Sequence, residues 1–327
     1  MKGFSDRFKD FPDYIIGITK EIWEDRGIAT LHDYYASDIV VRSPGSVVTG
    51  NEGVIAATMA TLAEFPDRQL LGEDVIWSGT PEDGMLSSHR ILSTATHSGD
   101  GVYGAATGTK LTYRILADCH AKNNVIDDEW LIRDQGAIVR QLGWEQQAYA
   151  RALIEREGGP ETCVKPMTPA NDIAGPYKGR GNDNAWGEML TDILTRMMGA
   201  DMTAIPATYD RAAHLCYPGH ITGHGWAPAD RFWMGLRSAF PSATFTIHHR
   251  IGRDDPMMPP RAAIRWSLHG THDGWGAFGK PTGAEVFVLG ITHAEFGTLG
   301  AAEPTLRREC TLFDETAVWK QIALHTG

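Results

Sequence analysis

The chain has 327 residues, more than one typical hydrophobic core needs, so two domains are expected. Its apolar content of 42% and charged content of 22% are ordinary for a globular protein. The net charge of −11 argues against nucleic acid or an anionic membrane as the main partner, because both would repel the chain.

The first half of the chain predicts three helices followed by strands. Residues 13–27 place Ile15, Ile18 and Ile22 at helical spacing, and residues 28–36 and 52–64 form two further helical segments. Stretches rich in β-branched and aromatic residues then alternate with Gly-rich turns, which indicates strands. The candidate strands are 70–77, 85–97, 109–121, 125–133 and 137–143.

The middle of the chain predicts a boundary between two domains. Residues 145–157 form a trailing helix, and the Pro- and Gly-rich stretch that follows has the composition of a linker. We therefore expect a first domain over 1–157, a linker over 158–182 and a second domain over 183–327.

The second half repeats the first. The segments that end at Gly108 and Gly283 share the form T-H-x-G-x-G-x-[YF]-G-x-x-T-G and are 175 residues apart, as are His97 and His272 within them. Phe65-Pro66 and Phe240-Pro241 keep the same offset. Several matches in one order predict a duplication, and a duplicated run of helices and strands predicts α+β domains in tandem.

The segment HxGxGxxGxxTG, followed by two strands and a closing xxGxIxxQLG-like segment, resembles the SnoaL-like polyketide cyclase family. The resemblance covers nearly the whole of each half. It implies the nuclear-transport-factor-2-like superfold: two tandem cone-shaped domains, each with about three helices packed on a curved antiparallel sheet. Single-domain members commonly pair through their sheets, so the resemblance also implies a pseudo-dimer within one chain, as a monomer or a homodimer.

In the cyclases, a His on the penultimate strand and an Asp near the end of the last strand are the acid/base pair. The His position falls at or beside Glu129 in the first copy and Glu309 in the second. The Asp position falls at Gly143 and near Ala323, so neither copy keeps an Asp there. The resemblance therefore implies a pocket more strongly than the family's own reaction.

Side chains two apart on a strand share a face, and this parity selects candidate site residues. Each copy places a His and a carboxylate on one face of the same strand, an arrangement suited to moving a proton next to a carbonyl. The candidate catalytic residues are Asp118, His120 and Glu129 in the first copy and His293, Glu295 and Glu309 in the second. The structural alternative is that acidic and His side chains at strand ends are solvated.

Four aromatic residues are candidates for lining a substrate cavity, although aromatic residues in a half-buried sheet are usually core residues. They are Tyr103, Trp130, Trp266 and Trp275.

We expect no cofactor or metal. The stretch HLCYPGHITGHG has residue types that suit zinc but matches no standard zinc spacing, and neither a phosphate loop nor a dinucleotide fingerprint occurs. The four cysteines lack paired spacing and indicate reduced thiols, and no apolar run is long enough for a signal peptide or a membrane span. The expected location is the cytoplasm.

Two functions remain open at this point. One is cofactor-free acid/base chemistry on a small apolar carbonyl or hydroxy compound, as in a cyclase, an isomerase or a dehydratase (a lyase). The other is a non-catalytic protein that binds a small apolar ligand or serves assembly. A third possibility is that one copy keeps the site while the other became a scaffold.

Overall fold

The first half forms a six-stranded sheet that is covered by helices on one face. The computed structural model describes residues 1–297 and 303–327. The sheet order is β2-β1-β6-β5-β4-β3. The strands are β1 Tyr35–Ser43, β2 Ser46–Thr49, β3 Gln69–Thr80, β4 Gly84–Thr96, β5 Lys110–Lys122 and β6 Val125–Arg133. The pair β1–β6 is parallel, so the sheet is mixed, and the expectation of a purely antiparallel sheet is wrong at this pair.

The helices of the first half are α1 Phe11–Thr19, α2 Leu31–Tyr34, α3 Asn51–Glu64, α4 Gln135–Gln141 and α5 Gln146–Arg156. Helix α3 begins after Gly50, whose φ of 79° is in the left-handed region that favours glycine. The backbone N–H of Gly50 donates to the carbonyl of Ile39 on β1 at 2.8 Å, which fixes the start of α3 beside the sheet.

The segment predicted as a closing strand over 137–143 is a helix. Asp134 caps α4 by accepting a hydrogen bond from the backbone N–H of Ala137 at 3.0 Å. The run Ala137, Ile138, Val139 is entirely buried. A short apolar run of this kind fits a buried helix as well as a strand, and periodicity does not separate the two. The last strand of the first sheet is therefore β6.

The second half repeats this architecture. Its sheet order is β8-β7-β12-β11-β10-β9, again with one parallel pair, β7–β12. The strands are β7 Tyr209–Tyr217, β8 Ile221–His224, β9 Thr244–Arg253, β10 Arg261–Thr271, β11 Glu285–Gly297 and β12 Thr305–Phe313. The helices are α6 Ala185–Met198, α7 Ala204–Thr208, α8 Trp226–Ala239 and α9 Glu315–Thr326. Two tandem α+β domains are thus confirmed.

The two sheets pack against each other through the faces that the helices leave free. Leu116 and Ile132 of the first sheet lie in one buried cluster with Ile291 and Leu312 of the second. Polar pairs also cross this interface, and the clearest is the ion pair between Asp118 and Arg265 at 2.7 Å. Each sheet is therefore buried on both faces, by its own helices on one side and by the other domain on the other.

The segment between the domains contacts both of them. Tyr177 donates its backbone N–H to the buried carboxylate of Asp128 at 3.1 Å, and its hydroxyl is 2.7 Å from Nε2 of His249. The predicted boundaries of the linker stay a prediction. Among the described residues, no helix has the length and apolar character needed to cross a bilayer.

We predict that the ion pair across the interface couples the two domains. Replacing Arg265 by Met leaves the carboxylate of Asp118 buried without its partner, so the free energy of unfolding should fall by about 3–5 kcal/mol. Urea denaturation measures this value. The double variant Asp118→Asn with Arg265→Met should recover much of the loss, because no buried charge then remains unpaired. Equal stability of the single and double variants would contradict the prediction.

Candidate active site in the first domain

A cavity of about 430 Å³ lies between the inner face of the first sheet and the helices α1 and α3. Its walls are mostly apolar. Strand β5 contributes Ile115, Ala117 and Cys119, and α1 and α3 contribute Ile18 and Ala57 among others. An enclosed apolar space with a few polar groups is the usual form of a small-molecule site.

Glu129 is the carboxylate of the sheet wall. It lies on β6 between Cys119 of β5 and Val41 of β1 in the strand register. Burial raises the pKa of Glu129 to about 7, a hydrogen bond with the hydroxyl of Tyr35 lowers it in part, and the neighbouring Asp128 raises it again. Near neutral pH the carboxyl group is therefore populated in both protonation states, which is the condition for a general acid/base.

His89 of β4 also lines the cavity. Its Nδ1 is 3.2 Å from Oγ of Ser87, and burial lowers its pKa to about 4, so the ring is neutral at physiological pH. Within the described residues, Nε2 of His89 makes no hydrogen bond. The ring can therefore offer a polar contact to a ligand without adding a charge.

The cavity wall has three further side chains of the charged residue types, Arg68, Arg133 and Asp314. Asp314 comes from the second domain, where it caps α9 by accepting from the backbone N–H of Thr316 at 2.9 Å. Its other oxygen accepts from Nε2 of Gln135 at 3.0 Å. Burial raises the pKa of Asp314 to about 7, and hydrogen bonds with Gln135 and the backbone of α9 oppose this. The first cavity is therefore closed partly by the second domain.

The corresponding interior of the second domain is filled by its own side chains. Glu309 occupies the place of Glu129 as the fifth residue of β12, and it accepts hydrogen bonds from four side chains. The donors are Tyr209 at 2.7 Å, Tyr217 at 2.9 Å, Trp233 at 3.2 Å and Thr311 at 2.6 Å. Burial raises the pKa of Glu309, and these donors oppose the rise. A carboxyl group held in this way has little freedom to meet a ligand.

Bulky residues explain the difference between the two interiors. Thr58 is the eighth residue of α3, and the eighth residue of the equal-length helix α8 is Trp233, which is fully buried. Ser43 ends β1, whereas Tyr217 ends the equivalent strand β7. Trp266 is also fully buried and packs beside Trp233 at 6.0 Å between ring centroids. Large rings therefore occupy the space that is open in the first domain.

The structure places Asp118 and His120 outside the cavity, so the prediction that this pair faces the cone is wrong. Cys119 lines the cavity, and its neighbours on β5 therefore point to the opposite face. Asp118 pairs with Arg265, and Nδ1 of His120 is 2.6 Å from the carboxylate of Asp127. The parity argument selected the wrong face of β5 because nothing in the sequence marks the inner one.

His293 and Glu295 lie on the face of β11 that packs against the other domain, and they too lie outside the cavity. Nε2 of His293 is 2.9 Å from Oγ of Ser88 in the first domain. Glu295 pairs with Arg90 at 3.3 Å and with Arg308 at 3.1 Å. The structure therefore brings neither predicted dyad to a cavity, and of the six predicted catalytic residues only Glu129 lines the open one.

The predicted substrate-binding aromatics are dispersed. The hydroxyl of Tyr103 donates to Oε1 of Gln135 at 2.6 Å in the core of the first domain. Trp130 lies on the interface, where the guanidinium of Arg265 covers its ring at 3.5 Å. Trp266 fills the second domain, and Trp275 is 69% exposed. None of the four lines the open cavity. Sequence reasoning missed His89, Arg68 and Arg133, which no motif or spacing marks.

The strand order also corrects the correspondence with the cyclases. Because β6 is the last strand, the residue at its end is Asp134 rather than Gly143, and in the second domain it is Asp314 rather than Ala323. The penultimate strands carry His120 and His293 rather than Glu129 and Glu309, but the two His residues are not equivalent, because the offset of 175 residues pairs His293 with Asp118. An Asp is thus present at the end of the last strand in both copies. Asp134 nevertheless accepts from the backbone N–H groups of Gly219 and His220 in the second domain, at 2.8 and 2.9 Å.

Comparison with known proteins agrees with this architecture. Residues 4–142 match the family model described as SnoaL-like polyketide cyclase. Over this range the chain is similar to that family. The match covers the first half of the chain, and the second half is linked to it by the repeated sequence and the repeated sheet order. No curated protein matches the chain.

Solved structures similar to the chain include IdmH, described as a putative polyketide cyclase from Streptomyces antibioticus. It is 25% identical, with 40% of this chain and 97% of that chain covered and a TM-score of 0.36. A putative SnoaL-like polyketide cyclase from Jannaschia Sp. CCS1 is 16% identical, with 45% and 98% covered and a TM-score of 0.36. A ketosteroid isomerase-like protein from Erwinia carotovora atroseptica SCRI1043 is 17% identical, with 39% and 92% covered and a TM-score of 0.30.

We predict that Glu129 makes stability fall as pH rises. Its pKa is raised in the folded state, so the folded protein holds this proton more tightly than the unfolded chain does. Stability is therefore lost between the unfolded pKa and the folded pKa of about 7, by about 3 kcal/mol in total. Urea denaturation from roughly pH 5 to pH 8 should show a flatter pH dependence for Glu129→Gln than for the wild type.

The matched control is Glu161→Gln, because Glu161 is exposed and should leave the pH dependence of the wild type unchanged. A Glu129→Gln variant with the pH dependence of the wild type would show that Glu129 does not titrate in this range.

Proposed function

We propose that the SnoaL-like first domain carries out cofactor-free proton transfer on a small apolar carbonyl or hydroxy compound, with Glu129 as the general acid/base. One observation supports this proposal: the carboxyl group of Glu129 is buried in the wall of an apolar cavity and has a pKa of about 7. In this setting the carboxylate is poorly solvated and accepts a proton readily, and its acid form can return that proton to the ligand.

The cavity suggests how such a transfer would proceed. Glu129 would remove a proton from the carbon next to a carbonyl group, and negative charge would then develop on the carbonyl oxygen. The neutral ring of His89, two strands away on the same inner face, supplies a polar contact without a competing positive charge. The hydroxyl of Tyr35 hydrogen-bonds to Glu129 and so helps to hold its carboxylate form. The apolar walls keep water from the reacting carbon.

The second domain has a structural role in this proposal. Its interior is filled by aromatic rings, and the carboxyl group of Glu309 is held by four donors. It also contributes Asp314 to the wall of the first cavity and covers the outer face of the first sheet. One copy of the duplication would thus keep the site while the other supports it.

The second candidate function is binding without catalysis. It is favoured by His120 on the penultimate strand and Asp134 just after the last strand, because both make their contacts away from the open cavity. A binding protein would return its ligand chemically unchanged.

Hydrogen–deuterium exchange of a simple ketone tests the proposal. We expect the protein in D₂O to accelerate α-proton exchange of 2-tetralone, a bicyclic apolar ketone, followed by ¹H NMR. Glu129→Gln should slow this exchange about 100-fold or more, because it removes the proton acceptor. The rate should rise with pH through about 7 as the carboxylate form of Glu129 accumulates.

The matched control is Glu309→Gln, the same change at the equivalent residue of the filled domain, which should leave the exchange rate unchanged. Equal loss in both variants would point to a general structural effect. Binding of 2-tetralone to the wild type without any exchange would overturn catalysis by Glu129 and favour the binding protein.

We also predict that the first cavity can be closed by copying the second domain. Thr58→Trp introduces the ring that Trp233 supplies at the equivalent position. The variant should lose binding of the neutral ketone 2-acetonaphthone, measured by calorimetry, while its stability stays within about 1 kcal/mol of the wild type because the ring enters existing space. Thr58→Val should bind the ketone normally. Undiminished binding to Thr58→Trp would place the ligand elsewhere.

A further inference from the structure

Two arginine side chains line the cavity without a carboxylate partner. Arg68 precedes β3 and is 5% exposed, and Arg133 is the last residue of β6. Nε of Arg68 makes one long hydrogen bond, at 3.4 Å, to Oγ of Ser93. Nε of Arg133 is buried and has no hydrogen-bond partner within the described residues. Among the described residues, no carboxylate forms an ion pair with the guanidinium of Arg68 or Arg133.

Other buried arginines of this protein are neutralised by carboxylates. The pairs are Arg42–Asp128, Arg90–Glu73, Arg261–Asp74 and Arg265–Asp118. A buried guanidinium without a counter-charge is costly, because it gives up its hydration and gains no compensating attraction. Buried Arg68 therefore differs from these four arginines, and half-buried Arg133 beside it also lacks a carboxylate partner among the described residues.

The electrostatics of the surrounding residues indicate a surplus of positive charge. Burial lowers the pKa of Arg68, and the charge of Arg133 lowers it further. Burial alone would raise the pKa of Tyr113, but that pKa is lowered overall, and the charges of Arg68 and Arg133 are the largest of the effects that lower it. The hydroxyl of Tyr113 has no hydrogen-bond partner within the described residues. This end of the cavity therefore favours a negative charge.

Asp314 does not supply the missing charge. Its two oxygens accept from Gln135 and from the first turn of α9, and neither Arg68 nor Arg133 is among the main causes of its pKa shift. Its raised pKa also keeps it partly neutral near pH 7. An anionic group of a ligand would therefore find no competing carboxylate of the described residues at these two arginines.

We propose that Arg68 and Arg133 bind a carboxylate group of the ligand, so that the substrates are small apolar carboxylic acids. This inference rests on the proposed function, since it places the acidic group of the ligand at one end of the cavity and its reacting carbon at Glu129. Planar guanidinium groups match carboxylates geometrically and bind them through paired hydrogen bonds. Glu129 and Arg133 share a face of β6 four residues apart, about 13 Å between Cα atoms, which leaves room for an apolar body between them.

A pair of matched ligands tests the proposal by calorimetry. We expect the wild type to bind 2-naphthoate more tightly than 2-acetonaphthone, its neutral counterpart, by about 10-fold or more, because hydrogen bonds from a guanidinium to a carboxylate are stronger than those to a neutral carbonyl. Arg68→Gln and Arg133→Gln should each remove most of this preference, measured as the ratio of the dissociation constants of the two ligands. Arg133→Lys retains the charge and should keep part of the preference.

The control is Arg231→Gln at an exposed position of the second domain, which should bind both ligands as the wild type does. Equal affinity of the wild type for the two ligands, or a preference that survives both Gln variants, overturns the carboxylate site, even if Glu129→Gln abolishes ketone exchange. A preference that depends on the arginines supports the site, even if Glu129 proves inactive in exchange. The two proposals therefore fail separately.

Discussion

The packing of the two sheets against each other is the constraint on which the rest of the structure depends. It buries the outer face of each sheet, so every second residue of β5 and β11 is committed to the interface between domains. Asp118 and His293 therefore bind residues of the other domain and are removed from ligand chemistry. The inner face of each sheet remains available for a site, and the side chains that fill or leave open each interior decide whether that domain has a cavity.

Duplication allowed the two interiors to diverge. A single-domain protein that filled its cavity would lose its site, whereas a chain with two copies needs only one open interior. The second domain packs Trp233 and Trp266 around Glu309 and gains the close packing that stabilises a core. The first domain keeps smaller side chains, such as Thr58 and Ser43, in the equivalent places and leaves its interior open. Asp314 links the two roles, because it caps a helix of the second domain and closes the cavity of the first.

The repeat, the tandem α+β architecture and most strands could be predicted from the sequence, because they depend on local periodicity and on matches between the two halves. The cavity side of each strand could not. Strand β4 is buried along nearly its whole length, so the alternation of polar and apolar residues that marks one face is lost. His89 and Arg90 are adjacent and both buried, yet one faces the cavity and the other the partner domain. The helix α4 was missed for a similar reason, since its buried run has no clear period.

The cavity has two polar ends, Glu129 at one and Arg133 at the other, and the distance between them allows each to keep its own chemistry. The pKa of Glu129 is set by burial, Tyr35 and Asp128, and no arginine contributes to it. A guanidinium close to Glu129 would favour the carboxylate form and lower its pKa, and the group would then be a weak base near neutral pH. Glu129 and Arg133 are four positions apart on β6, which allows one end of the cavity to be positive and hold an anion while the pKa of Glu129 at the other end stays near 7. An elongated ligand with one charged end is the shape that such a cavity accommodates.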